Sequence, residues 1–189
     1  MASRRLEFAG AVLAGGASTR MGRDKALIPV GDGRLVDLAV RALRDAGASE
    51  VVIVGGNAAS LATAADRWVP DRWPGEGPLG GVITALGALR ADYVVVLACD
   101  LTDPQPQGVH AVLDAVAADP RAAVAVPRVE GRRQWLHGAW RRRVLPELEA
   151  AFAAGARGPR AAVADRAVVL DGLPAAWFLD ADTPDELPA

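Results

Sequence analysis

The chain has one cysteine, Cys99, in 189 residues, so no intrachain disulfide can form and a reducing compartment is expected. No apolar run approaches the length needed to cross a bilayer. The first residues, Met1-Ala2-Ser3-Arg4-Arg5-Leu6-Glu7, lack the apolar stretch of a secretory signal. The expectation is a soluble, cytoplasmic protein with no membrane partner. Excess positive charge is also missing. A formal net charge of -2 argues against broad nucleic-acid binding and leaves room for a local basic cleft alone. Repeats and linkers are absent, and 189 residues suit a single domain, 1–189, around one sizeable core.

Two common nucleotide motifs are absent as well. A Walker A loop has lysine directly after its last glycine, whereas Gly22 is followed by Arg23-Asp24-Lys25. The dinucleotide fingerprint G-x-G-x-x-G fails because Gly15 and Gly16 are adjacent and the next glycine is Gly22. What stands there instead is Leu13-Ala14-Gly15-Gly16-Ala17-Ser18-Thr19-Arg20-Met21-Gly22-Arg23-Asp24-Lys25, directly after an apolar run, Phe8 to Leu13, that reads as a buried strand. Glycines let a backbone press against a ligand, and N–H groups beyond a strand end form an anion-binding concavity. Arg20 and Lys25 add fixed positive charge where a polyphosphate would lie. The bland alternative is an ordinary glycine-rich turn. The length of the pattern favours a nucleotide site and nucleotidyl transfer.

Strand and helix patterns alternate along the chain, which predicts an α/β fold: a Rossmann-like three-layer sandwich with a mostly parallel sheet. Leu35, Leu38, Ala39, Ala42, Leu43 and Ala46 recur at helical spacing, with Gly47 as the stop. Val51 to Val54 and Tyr93 to Leu97 are buried-strand runs, the first ending in Gly55-Gly56-Asn57 and the second delivering Cys99 and Asp100. Ligands of open α/β sheets sit beyond the carboxyl ends of the strands, so three tips should point one way. Trp73 to Gly81 is too rich in glycine and proline for regular structure, and a helix is expected over Val82 to Leu89. Gln107 to Ala118 reads as a core-facing helix, Ala122 to Val126 as a strand and Leu145 to Phe152 as a helix. Gln134 to Trp140 alternates like a strand, and Val168 to Leu170 with Trp177 to Leu179 should close the sheet. Thr183-Pro184-Asp185-Glu186 has the signals of a helix start.

Nucleotidyl transfer brings two anions together, so it calls for Mg²⁺ on the phosphate oxygens and cations for the leaving group. Asp100, a carboxylate at a strand end opposite the glycine loop, is the candidate metal ligand; a turn-capping Asp is the alternative. Lys25 should meet the triphosphate as a point charge and Arg20 as a planar fork, unless Arg20 merely pairs with Asp24 one turn on. Asp103 is either a second ligand or a turn residue. Cys99 reads as packed core rather than a nucleophile, and His137 as a satisfied structural histidine.

The pattern L-A-G-G-x-S-x-R-M-G-x-D-K resembles the signature of nucleotidyltransferases that activate sugars, isoprenoid alcohols and pterins, and most of all the molybdenum cofactor guanylyltransferase family. The resemblance implies a fold like that of nucleotide-diphospho-sugar transferases, with a nucleotide half over about 8–104 and an acceptor half over about 105–189. It implies nucleotide contacts from Leu13, Ala14, Gly15, Gly16, Lys25, Asp71 and Asp100, with Gly77 to Gly81 shaping the other wall. A carboxylate such as Asp71 can accept from the N1–H and N2–H₂ edge of guanine, which cytosine lacks. Catalysis would fall to Lys25, Arg20 and Asp100, with Mg²⁺ held at Asp100. The implied partners are GTP, molybdopterin or molybdenum-molybdopterin, and client molybdoenzymes or their chaperones.

The chain departs from the family pattern in three places. The proline after Asp100 comes late, at Pro104, and Trp135 stands for a proline. Asp180 and Asp182 stand for two terminal asparagines and would share one face of a strand. Their charge near a phosphorylated pterin would be offset by Arg132, Arg133 or Arg141 to Arg143. Two alternatives stay open: a cytidylyl or other metabolite nucleotidyltransferase, against whose cytidylyl form Gly15-Gly16 stands, and a module that binds nucleotide or cofactor without catalysis.

Overall fold

The β-branched runs and helical stripes assemble as a three-layer α/β sandwich in a computed structural model that describes residues 6–15 and 24–181. Strand β1 (Ala9–Leu13) is buried along its whole length. A hairpin of β2 (Pro29–Val30) and β3 (Gly33–Arg34) precedes helix α1 (Leu35–Asp45), strand β4 (Val51–Val54), the single turn α2 (Ala58–Leu61) and strand β5 (Arg67–Val69). Helix α3 (Pro78–Ala88) leads to β6 (Tyr93–Ala98), α4 (Pro106–Ala118) and β7 (Val124–Val129). The second half adds β8 (Arg132–Arg133), β9 (Gly138–Arg141), α5 (Leu145–Ala153), α6 (Pro159–Val163) and β10 (Ala167–Leu170).

The main sheet runs β10-β7-β9-β6-β1-β4-β5, with β8 paired to β7. Along that order, only the two pairs made by β9 are antiparallel. The sheet is therefore mostly parallel, as the alternating pattern predicts. Both faces are covered, because successive side chains point to opposite layers. In β6, Val95 and Leu97 face α1 and α4, while Val94 and Val96 face α3, α5 and α6. Among the described residues no helix is long and apolar enough to cross a membrane.

Several boundaries differ from expectation, each for a local reason. Helix α3 starts at Pro78, inside the segment expected to be irregular. Proline suits a first helical position, where its missing N–H has no partner to lose. Residues Leu79 to Leu86 are all buried, so no one-sided stripe announced the helix. Gln134 to His137 forms a turn, closed by the His137 N–H on the Gln134 carbonyl at 3.1 Å, and the strand there is only Gly138–Arg141. Trp177 to Leu179 does not close the sheet. Ala175–Phe178 is a 3₁₀ turn after Pro174, and the segment makes a single antiparallel bridge, Leu101 with Asp180. The strand expected over Ala122 to Val126 is shifted to Val124–Val129, and the β2–β3 hairpin and β5 were too short to announce themselves.

The antiparallel register of β9 pairs Arg141 with Tyr93, at the start of β6. Arg141, Arg142 and Arg143 thus lie at the opposite edge of the sheet from Asp100 and do not offset Asp180. They cap backbone instead. Arg141 donates to the Val116 and Asp119 carbonyls at 2.7 and 3.1 Å and to the Tyr93 hydroxyl at 2.9 Å. Arg142 Nε donates to the Leu89 carbonyl at 2.7 Å, and Arg143 to that of Pro120. A cation on the last carbonyls of α4 satisfies them and suits the helix dipole. Arg141→Met should cost about 2 kcal/mol in urea unfolding, the scale of charged hydrogen bonds lost from a partly buried site. Affinity for GTP should stay unchanged, because Arg141 lies at the opposite edge of the sheet from Asp100.

Candidate nucleotide site

Strands β6, β1 and β4 end side by side, and main-chain bonds join their tips. The Cys99 N–H donates to the Leu13 carbonyl at 3.1 Å, and the Ala14 N–H to that of Val54 at 2.9 Å. Leu13-Ala14-Gly15 therefore lies between Cys99-Asp100 on one side and Gly55-Gly56 on the other. Gly55 has φ of 76°, and a Cβ built there would stand 3.2 Å from Gly15 Cα. Any larger residue would be both strained and wedged against the signature loop. The Trp68 indole N–H donates to the Gly55 carbonyl at 2.8 Å and fixes this approach.

Asp71 follows β5 and reaches the same place. Its Oδ1 accepts from the Trp73 N–H at 3.0 Å and faces the Thr84 hydroxyl at 3.3 Å. Its Oδ2 points the other way, 3.6 Å from the position a Cβ on Gly15 would take. On the far side, Lys25 sits in the 3₁₀ turn Lys25–Leu27, whose cap is Asp24: Asp24 Oδ1 accepts the Ala26 N–H at 3.1 Å. That bond caps the turn that carries Lys25. Lys25 Nζ lies 3.2 Å from Asp100 Oδ2, with the two side chains only 15% and 19% exposed. The chain thus places Leu13, Ala14, Gly15, Lys25, Asp71 and Asp100 on one edge of the sheet. Gly16 and Arg20 lie outside the described residues.

Among the described residues, no three of His, Cys, Asp and Glu gather as a ready metal cage. Asp103 is engaged by the Gln105 side-chain amide. Asp100 remains as a single hard carboxylate at the mouth of the loop. That donor set fits Mg²⁺, which is commonly held by one or two carboxylates and completes its shell with phosphate oxygens and water. Burial, reinforced by Asp100 and Asp24, pushes the Cys99 thiol well above its ordinary range, so it stays protonated and unreactive.

The end of the described chain returns to this edge. The Ala181 N–H donates to the Asp100 carbonyl at 2.9 Å, and the Thr102 N–H to that of Leu179 at 3.0 Å. Asp180 is held beside the site by these bonds, though on a bridge rather than a strand, and Asp182 and the Thr183 segment lie outside the described residues. His137 is buried, but it is not the satisfied histidine expected: Nδ1 finds no hydrogen-bond partner among the described residues. Burial lowers its pKa to about 4 against the opposing pull of Asp180, so the ring is neutral. Asn57, beyond the end of β4, caps α2 through the Ala59 N–H at 2.9 Å.

The MobA-like NTP transferase domain matches residues 10–169, which takes in Leu13 to Gly15, Lys25, Asp71 and Asp100. The chain belongs to that family. It is accordingly a nucleotidyltransferase. A molybdenum cofactor guanylyltransferase of Pseudomonas putida is 37% identical over 161 residues, 83% of this chain and 82% of that protein. A probable molybdenum cofactor guanylyltransferase of Opitutus terrae is 44% identical over 104 residues, spanning about half of each, 53% and 52%. Among solved structures, molybdopterin-guanine dinucleotide biosynthesis protein A of Archaeoglobus fulgidus superimposes with a TM-score of 0.76 over 94% of this chain and 93% of its own. At 20% identity that likeness speaks for the fold.

Two contributors escaped the sequence reading. Trp68 left no local signal for its indole bond to the loop. Thr84 sits in an apolar helix, and only the fold shows that its hydroxyl meets Asp71.

Proposed function

We propose that this nucleotidyltransferase moves GMP from GTP to the phosphate of molybdopterin, with or without molybdenum, forming the guanine dinucleotide cofactor and pyrophosphate. The observation that carries the reading is the pairing of Lys25 with Asp100 across the mouth of the signature loop, with Asp71 on the opposite wall. The P. putida relative named as a molybdenum cofactor guanylyltransferase supports the choice of base and acceptor.

In this reading the loop backbone from Leu13 to Gly16 lies against the nucleotide, and Asp71 accepts from the guanine edge. Lys25 turns from Asp100 to the β- and γ-phosphates, where it stabilises charge on the departing pyrophosphate. Arg20 adds a second cation to the same phosphates. An acceptor phosphate oxygen attacks the α-phosphorus; one P–O bond forms as the bond to the β-phosphate breaks. Mg²⁺ held by Asp100 would screen the two anions from each other. The attacking phosphate is already ionised, so no general base is required, and His137 is left out of the chemistry. The acceptor would lie over the second half, near Asp180. Of the arginines named from sequence as charge partners, Arg132 and Arg133 on β8 remain, although Arg133 also donates to the Ala164 carbonyl at 3.3 Å. The dinucleotide would then pass to a molybdoenzyme or its chaperone.

Pyrophosphate release measured with each of GTP, CTP, ATP and UTP, with and without molybdopterin, tests the base choice. Release should require both GTP and the acceptor. Calorimetric titration should show GTP ahead, by about 1–3 kcal/mol for each polar group that a wrong base leaves unpaired. Equal turnover with CTP would overturn the guanylyl assignment, and binding without release in any combination would favour a non-catalytic module.

A further inference from the structure

Thr84 and His137 are the buried polar side chains among the described core residues, and only Thr84 is tied to the nucleotide wall. It stands in the middle of α3, 2% exposed, surrounded by Val82, Ile83, Ala85 and Leu86. A hydroxyl in that setting costs stability unless it is bonded. Its oxygen accepts the Arg72 N–H at 3.2 Å. Its hydrogen has two acceptors within reach, the Gly80 carbonyl at 2.9 Å and Asp71 Oδ1 at 3.3 Å. One threonine therefore contacts both the backbone and the carboxylate of the Asp71-Arg72 corner.

The effect on Asp71 follows from the inventory of its two oxygens. Oδ1 faces inward, where it accepts the Trp73 N–H at 3.0 Å and lies 3.3 Å from the Thr84 hydroxyl, which shares its one hydrogen between Oδ1 and the Gly80 carbonyl. Oδ2 is turned out toward Gly15 and the signature loop. A carboxylate with one oxygen anchored by the protein presents the other in a fixed direction, whereas an unanchored one samples several rotamers.

We propose that Thr84 is the positioning residue for Asp71, and that it sets how sharply the site discriminates the 2-amino group of guanine. This rests on the reading that Asp71 meets the base. Thr84 touches no substrate; it acts by holding Oδ1 so that Oδ2 is the one accepting oxygen on offer.

The test compares Kd for GTP and for inosine triphosphate, which lacks the 2-amino group, in wild type, Thr84→Val, Thr84→Ser and Asp71→Ala. Thr84→Val keeps the shape and removes the hydroxyl. It should lower the preference for GTP over inosine triphosphate by about fivefold, the worth of one hydrogen bond. Thr84→Ser, which keeps the hydroxyl, should restore most of that preference, and Asp71→Ala should abolish it. A merely structural threonine would weaken both ligands alike and leave the ratio unchanged; that result, with a collapsed ratio in Asp71→Ala, overturns the role of Thr84 and leaves base reading by Asp71 standing. An unchanged ratio in Asp71→Ala as well overturns both. Should Thr84→Val fail to fold, the Thr84→Ser and Thr84→Ala ratios decide by the same criterion.

Discussion

Asp100→Asn should remove the dependence on divalent metal and lower turnover by about 100-fold or more, the scale for losing one preorganised electrostatic contact. The reason lies in ligand chemistry. An amide oxygen carries no net charge and is a poor ligand for a hard cation, and no second carboxylate cluster stands ready among the described residues to replace it. The substitution is close to isosteric, and Lys25 can still donate to the amide oxygen. The fold and the surroundings of Asp71 should therefore survive. Steady-state rates at increasing Mg²⁺ separate this from misfolding: the variant should lose rate without recovering it at high metal. Near-normal turnover with ordinary Mg²⁺ saturation would remove Asp100 from the metal role.

Lys25→Met should fail differently. The lysine and Asp100 are within 3.2 Å and both are largely shielded from solvent. Deleting the cation leaves a poorly hydrated carboxylate, and breaking such pairs from one side costs up to about 3–5 kcal/mol when burial is complete. The residual exposure here puts the expected cost below that range. Turnover and GTP affinity should both fall, with turnover down by about 100-fold, because the leaving pyrophosphate loses its counter-charge. The double variant Lys25→Met with Asp100→Asn should melt higher than Lys25→Met alone, since Asp100 is then no longer a stranded charge, while staying inactive. Equal melting temperatures in the single and double variants would show that the pair has no energetic weight in the resting protein.

The parts of the fold that could be foreseen are those with a local physical signature. The apolar runs at Phe8 to Leu13, Val51 to Val54 and Tyr93 to Leu97 are short, β-branched or small, and bounded by glycine or a loop, and each became a buried strand, the three parallel to one another. Their common direction then placed the glycine loop and Asp100 at one edge before any distance was known. The parts that could not be foreseen depend on partners distant in sequence. Pro78 and the paired glycines Gly80 and Gly81 look like loop residues, yet they open α3 because Gly81 packs against Leu13 and Gly80 against Trp73. Trp177 to Leu179 looks like a strand by hydrophobicity, yet the chain turns after Pro174 and lays Trp177 and Phe178 against Gly108. The arginine run at 141–143 reads as a solvated or acid-balancing face, and its actual targets are carbonyls at the ends of α3 and α4 and in the turn beyond. Thr84 had no signature at all, because one hydroxyl in an apolar helix has meaning only once Asp71 is seen beside it.

The central claim is that a GMP group is joined to molybdopterin at this site, and identifying the product tests it most directly. Purified protein would be incubated with Mg-GTP labelled at the α-phosphate and with molybdopterin, and the pterin fraction analysed by mass spectrometry. The label should appear in a guanine dinucleotide of the pterin, with one pyrophosphate released for each dinucleotide formed. Label that stays in GTP, or transfer to the pterin only from CTP labelled in the same way, would contradict it.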